Sequence, residues 1–365
     1  MKLIDIISFI EDFAPVQWQE EYDNSGLIVG RPEQEVNKAL ISLDCTESVL
    51  DEAIATNCDL IISHHPIVFK GMKRFNEATY IERVVAKAIR NNIALYAVHT
   101  NLDNVKLGVN KVIMDRLDVE NPAILSPKSG VLKKMAVYVP KPDASKLRDA
   151  LFSAGAGNIG KYSECSYNTE GIGTFIPDPE ANPTIGQPGI REEVHETSVE
   201  VIYPAYLERK ILIAMFEAHP YEEVAYQTYT LSNIYQEVGS GMIGSLPRPL
   251  SPSDFLNFIK ERMNVSVIRH SQKLNGNIQR IAVCGGAGSF LLQQAIRAGA
   301  DAFISSDFKY HEFFDAEQKI MIADIGHYES EQFTQHLLLE KIRIKFPNFA
   351  IRITTENTNP VKYYF

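Results

Sequence analysis

An α/β architecture follows from three features of the sequence: short, nearly uninterrupted apolar runs, segments of helical period between them, and polar clusters where the runs end. Runs of four or five apolar residues suit strands buried on both faces of a parallel sheet. Their alternation with helices implies right-handed β-α-β crossovers. The expected fold is α/β: two pseudo-symmetric β-α-β lobes form a discontinuous core domain, and an α+β ferredoxin-like domain is inserted between them.

Leu3, Ile6, Ile7, Ile10 and Phe13 recur at helical spacing and predict a first helix that Pro15 closes. A polar loop, Trp18 to Gly26, leads into an expected strand over 27–30, and residues 39–43 form a second apolar run. Thr46 is placed to cap a helix whose apolar positions are Val49, Leu50, Ala53 and Ile54. The run Leu60-Ile61-Ile62-Ser63 then stops at His64-His65-Pro66. Residues 79–91 read as a helix, and 93–98 as a strand ending at His99-Thr100-Asn101-Leu102-Asp103.

Past Lys128-Ser129-Gly130 the character changes. Residues 135–139 alternate like a strand, 144–154 suit a helix, and 155–189 are a loop-rich stretch dense in Gly and Pro. Strand-like 198–203, helix-like 205–218 and alternating 224–231 complete a β-α-β-β-α-β order, so 131–235 is read as the insert, with lobes over 1–130 and 236–365. The first rhythm then returns: a helix over 256–263, a strand over 281–284, a tight glycine-rich turn at Gly285-Gly286-Ala287-Gly288, and a helix to Ala298. A strand over 302–305, a helix over 310–316 and a strand over 320–325 ending at Gly326-His327 follow. The glycines lack the Lys-Ser/Thr of a phosphate loop and the full GxGxxG spacing.

Residues 39–63 lie over 281–305 with one constant offset and no gap: Leu50 meets Leu292, Ala53 meets Ala295, Asp59 meets Asp301, and Ser63 meets Ser305. Each copy continues through a helix to a strand ending at a histidine, His99 or His327. Such a repeat lets strand ends from the two lobes face one another across a cleft.

Composition narrows the function. The chain has 365 residues, 45% hydrophobic and 22% charged, with net charge −10. That balance argues against non-specific nucleic-acid binding. Cys45, Cys58, Cys165 and Cys284 form no CxxC pair and suit a reducing compartment. No apolar run approaches the ~20 residues of a membrane span, and acidic residues interrupt the N-terminal pattern, so a cytoplasmic protein is expected.

The chemistry gathers at strand ends, where ligands of open α/β sheets bind. Pro66 forces a turn that can aim both His64 and His65 into one cleft. His327 and Glu331 stand four apart, the spacing of helical metal-ligand pairs, and Asp103 stands four past His99. Three or four histidines with two carboxylates match the needs of two metals sharing a carboxylate, and the donors suit Zn, Mn, Fe or Co. That inventory points to hydrolysis. His311 stands in the second copy where His64-His65 stand in the first, as a candidate to line the site, whereas His195, His219, His270 and His336 have no ligand partner nearby in sequence.

Together, Tyr22-Asp23-Asn24-Ser25-Gly26-Leu27, Ser63-His64-His65-Pro66, His99-Thr100-Asn101-Leu102-Asp103 and His327-Tyr328-Glu329-Ser330-Glu331 resemble the dinuclear-metal-centre proteins labelled GTP cyclohydrolase 1 type 2 homologues, or NIF-three-like proteins. The resemblance implies two divalent transition-metal ions per subunit, zinc first among them, held by His64, His65, Asp103, His327 and Glu331, with Glu331 as bridge. It places His99 outside the ligand set, on the substrate side or behind a ligand. It further implies a toroidal homohexamer with its metal sites facing an internal cavity, and a PII/CutA-like insert capping the ring openings. The label suggests purine ring opening, yet no guanine-reading motif is present. The expected activity is metal-dependent hydrolysis of a nucleotide-like or phosphorylated substrate. The competing expectation is a regulatory or metal-handling hexamer whose insert senses a small molecule.

Overall fold

The computed structural model describes residues 1–272 and 276–364 of a mixed α/β chain. It divides into two compact units, Met1–Pro127 with Gln236–Phe365, and Lys128–Tyr235. The first unit contains a five-stranded sheet in the order Gly26–Val29, Ala94–Ala97, Leu60–Ser63, Lys38–Ser42, Ala350–Ile353. All its neighbouring pairs are parallel except Gly26–Val29 against Ala94–Ala97. Side chains alternate across it. Ala39, Ile41, Leu60, Ile62, Ala94 and Tyr96 enter one buried cluster, while Leu40, Ile61 and Leu95 enter another with Val49, Leu50, Val84 and Val85 of the flanking helices. Burial on both faces is why these strands read as continuous apolar runs.

A six-stranded sheet runs Arg269–His270, Met321–Asp324, Ala302–Ser306, Ile278–Ala287, Ile234–Leu250, Glu120–Ser129. Ile281, Val283, Ala302 and Ile304 of this sheet join the same cluster as Ala39 and Ile62, so one core lies between the two sheets. Each sheet contains one parallel pair from the aligned segments. Ala39 pairs with Leu60 and Ile41 with Ile62, as Ile281 pairs with Ala302 and Val283 with Ile304. Asp59 accepts hydrogen bonds from the backbone N–H groups of Asn37 and Lys38, and Asp301 from those of Gln279 and Arg280. Each carboxylate pins the start of the strand before it.

Several elements differ from the sequence expectation. The two sheets exchange strands across the expected lobes: Ala350–Ile353 joins the first sheet and Glu120–Ser129 the second. Residues 285–287 continue their strand instead of forming a turn, because Gly286 adopts φ +63° within it. Tyr310–Ala316 is a 3-10 helix, not an α-helix.

In the second unit the elements run Leu132–Pro140, Ala144–Ser153, Tyr167–Phe175, Glu192–Pro204, Glu208–Ala218, Tyr226–Leu231. Its strands form an antiparallel sheet in the order Tyr167–Phe175, Glu192–Pro204, Leu132–Pro140, Tyr226–Leu231. Strand Tyr167–Phe175 lies inside the stretch that its glycines made read as loop, and its residues are mostly exposed, so no apolar alternation marks it. Among the described residues, no helix is long and apolar enough to cross a membrane.

Candidate metal centre

The buried strand Leu60–Ser63 delivers two histidines to one place. His64 N–H donates to the Ser42 carbonyl and His65 N–H to the Leu43 carbonyl, while Ser63 Oγ closes the turn on the His65 carbonyl. The two rings end with centroids 4.9 Å apart. Strand Ala94–Ala97 leads to His99 and the short helix Thr100–Asn104, which carries Asp103. From the second sheet, Met321–Asp324 leads through Gly326 into helix His327–Glu331, which presents its first and last residues to the same point.

Among the described residues three donor groups form there: His64, His65 and His99 make one, and the other two share Glu331. In the first of these two, His64 Nε2 lies 3.5 Å from Asp103 Oδ1 and 3.7 Å from Glu331 Oε1. In the other, Glu331 Oε2 lies 3.1 Å from His65 Nε2 and 3.3 Å from His327 Nε2, and the two imidazole nitrogens are 3.3 Å apart. Donor atoms on one ion with bonds near 2.0–2.1 Å stand roughly 3.0–3.4 Å apart, so the His65–His327 group has the spacing of ligands round a cation and the His64–Asp103 group is wider than that.

The residues present fit such an ion. His64 Nε2, Asp103 Oδ1 and Glu331 Oε2 are buried without a hydrogen-bond partner, a costly condition that a cation relieves. Gly286 leaves the room they need: a Cβ there would sit 2.3 Å from Glu331 Oε1 and 3.3 Å from His327 Nε2. The Gly286 N–H donates to Ser330 Oγ, which holds the helix against the strand.

Each imidazole is aimed from behind. His64 Nδ1 lies 2.7 Å from the Val98 carbonyl, His65 Nδ1 2.8 Å from Asp44, His327 Nδ1 2.7 Å from Asp307, and His99 Nδ1 2.7 Å from Asp23. A carbonyl or carboxylate oxygen only accepts, so each Nδ1 carries the proton and the neutral ring's Nε2 is bare, the form that binds metal. Sequence reasoning assigned no role to Asp23, Asp44 or Asp307. The one sequence signal for Asp44 and Asp307 is a weak one, that each follows a strand directly or within two residues.

Five carboxylates (Asp23, Asp44, Asp103, Asp307, Glu331) thus face four imidazoles, and charge dominates the site. Burial pulls the His65 pKa down, but Asp44 and Glu331 outweigh it and push the ring up to about 10. For His327, burial is likewise outweighed by Asp307 and Glu331, to about 11. His64 is raised as well, by Asp103 and Glu331 against burial. Burial raises Asp103, whereas the surrounding imidazoles overcome burial at Glu331 and hold it well below the usual carboxylate range. The cluster binds positive charge, as protons in the metal-free chain.

Of the sequence candidates, His64, His65, Asp103, His327 and Glu331 converge. His99 packs beside them, its ring centroid 5.3 Å from those of His64 and His65. His311 does not converge: it is exposed, rests against Tyr310 and Phe314 of its own element, and lies outside the lining of the cavity. Asp307 of the same segment reaches the site instead, because it follows the strand end directly. That cavity, about 1090 Å³, opens over the cluster and is walled by Tyr22, Phe69, Tyr80, Phe290, Tyr328 and Tyr363.

A model of the family described as Duf34/NIF3 (NGG1p interacting factor 3) matches residues 1–360. A Bacillus subtilis protein named GTP cyclohydrolase 1 type 2 homolog is 38% identical over 325 residues, covering 88% of this chain and 87% of its own. A Staphylococcus epidermidis protein of the same name is 33% identical over 367 residues, covering 100% of both. The crystal structure of a Bacillus cereus protein related to NIF3 superposes with TM-score 0.87 at 37% identity, covering 100% of this chain and 99% of that one.

Proposed function

This chain belongs to the Duf34/NIF3 family, and from that premise we propose that it is a hydrolase working with two divalent transition-metal ions on a nucleotide-like or phosphorylated substrate. One observation carries the reading: Glu331, 2% exposed, turns its two oxygens toward separate imidazole-containing donor groups. His64, Asp103 and Glu331 Oε1 would hold one ion, and His65, His327 and Glu331 Oε2 the other. Zinc is the first expectation, and iron, manganese or cobalt suit the same donors. When bound, such a pair polarises a substrate oxygen and acidifies water.

The chain's own residues supply the rest. Asp23 fixes the tautomer of His99, whose Nε2 is then free to take a proton at the cluster's edge and pass it on. Tyr22, Phe69, Phe290 and Tyr363 are exposed yet line the cavity, and their flat faces suit a heteroaromatic ring. We assign the subunits to a toroidal homohexamer in a cytoplasmic setting, built from two pseudo-symmetric lobes. The strand order of Lys128–Tyr235 supports reading that unit as an inserted ferredoxin-like, PII/CutA-like domain. It contains a cavity of its own, about 740 Å³, walled by Ile172, Phe175, Tyr138 and Tyr221. That cavity favours the second reading, a hexameric regulator or metal-handling protein that senses a small molecule.

Elemental analysis after anaerobic, chelator-free purification is expected to give about two transition-metal equivalents per chain, falling sharply in His64→Ala. Less than about half an equivalent in the wild type overturns the dinuclear reading. Light scattering is expected to give a mass near about six chains, and a stable monomer overturns the ring. Metal-loaded protein that hydrolyses no nucleotide, phosphoester or cyclic amide leaves the regulatory reading in possession.

A further inference from the structure

Residues 354–364 follow strand Ala350–Ile353 without regular secondary structure, yet they are tied down along their length. Thr354 N–H donates to the Ile41 carbonyl, and the Thr355 N–H reaches both oxygens of Glu52 at 3.0–3.1 Å. Two later contacts have a different character. Thr358 Oγ1 donates to Asp44 Oδ2 at 2.6 Å, while Asp44 Oδ1 holds His65 Nδ1 at 2.8 Å. Asn359 Nδ2 donates to Glu329 Oε1 at 2.9 Å, and its Oδ1 accepts from the Val361 N–H at 3.0 Å, so both ends of that amide are committed. Glu329 is buried and stands on helix His327–Glu331, between the two ligand residues.

The segment therefore touches the site twice, once through the carboxylate that aims His65 and once through the helix that carries His327 and Glu331. His65 and His327 belong to one donor group, whereas Glu331 belongs both to it and to the His64–Asp103 group. His64 takes its orientation from the Val98 carbonyl. We infer that Thr358 and Asn359 are positioning residues: Thr358 clamps His65 through Asp44, and Asn359 clamps the helix that carries His327 and Glu331 through Glu329. The inference rests on the two-ion reading above. Its physical basis is that a ligand's orienting partner sets ring angle and basicity, and losing one typically costs about 10–100-fold in metal affinity.

The test titrates chelator-stripped full-length protein with Zn²⁺ against a chromophoric chelator. Thr358→Val is expected to keep one equivalent at wild-type affinity and to weaken the other by about 10–100-fold. Thr358→Ser, which restores the hydroxyl, is expected to recover both, a rescue that a packing role for the threonine would not give. Asn359→Ala supplies an independent arm and is expected to weaken the same equivalent most, and the other through Glu331, the shared donor. Thermal melting of the metal-free variants at the wild-type midpoint shows that the fold is intact. Wild-type protein with two equivalents and unchanged affinities in both Thr358→Val and Asn359→Ala overturns the clamp alone, and so does equal weakening of both equivalents in Thr358→Val. Wild-type protein binding fewer than two overturns the two-ion reading and the clamp with it.

Discussion

Glu331→Gln is expected to leave the chain with under about one metal equivalent, because the only donor shared by both groups loses its charge and one oxygen. The loss should exceed the roughly 10–100-fold cost of removing an orienting partner. A second readout is independent of metal. In the metal-free wild type, the Glu331 charge helps hold protons on His65 and His327, whose pKa values are raised to about 10 and about 11. With a raised native pKa, the charged rings stabilise the fold fully below about 6.5, and that contribution is lost as pH rises through the native values. The amide removes much of the cause, so both imidazole titrations, followed by NMR, should move down toward the ordinary value. Two full equivalents and unmoved titrations in Glu331→Gln would remove Glu331 from the centre of the site.

Gly286→Ala is expected to do comparable damage without touching a donor. Its Cβ would lie 2.3 Å from Glu331 Oε1, so the carboxylate must move away from both groups. Placing a side chain at φ +63° adds about 1–2 kcal/mol of backbone strain. Gly299→Ala separates the two effects, since Gly299 has φ +73° and nothing within 4 Å of its Cβ position. Both variants should melt lower, by an amount set by the strain, but only Gly286→Ala should lose metal. Equal metal content in the two would mean that the close approach of Gly286 is incidental.

The sequence disclosed most about the site where burial imposed a pattern. Leu60-Ile61-Ile62 had to be a strand, and a strand stopped by His64-His65-Pro66 had to turn, which can aim both histidines into one cleft. The spacing of His327 and Glu331 was legible for a similar reason, because a helix aligns residues four apart. Asp44 and Asp307 were not legible in that way, since a lone carboxylate after a strand has no periodic signature and its role depends on which ring lies opposite. Gly286 looked like a turn because glycine breaks strands, and only the neighbouring Glu331 explains why one belongs inside this strand. The strand exchange escaped because apolar alternation tells a strand which face to bury but not which sheet to join.

That exchange has a temporal side. Strand Lys38–Ser42, which ends beside Asp44 and His65, finds its outer neighbour in Ala350–Ile353. A ribosome releases His64, His65 and Asp103 long before it releases that strand or Glu331. Partners so distant in sequence pair slowly, since a long loop must close first. A half-made chain therefore displays an incomplete set of donors that lacks His327 and Glu331, and the cluster cannot close before those residues are made.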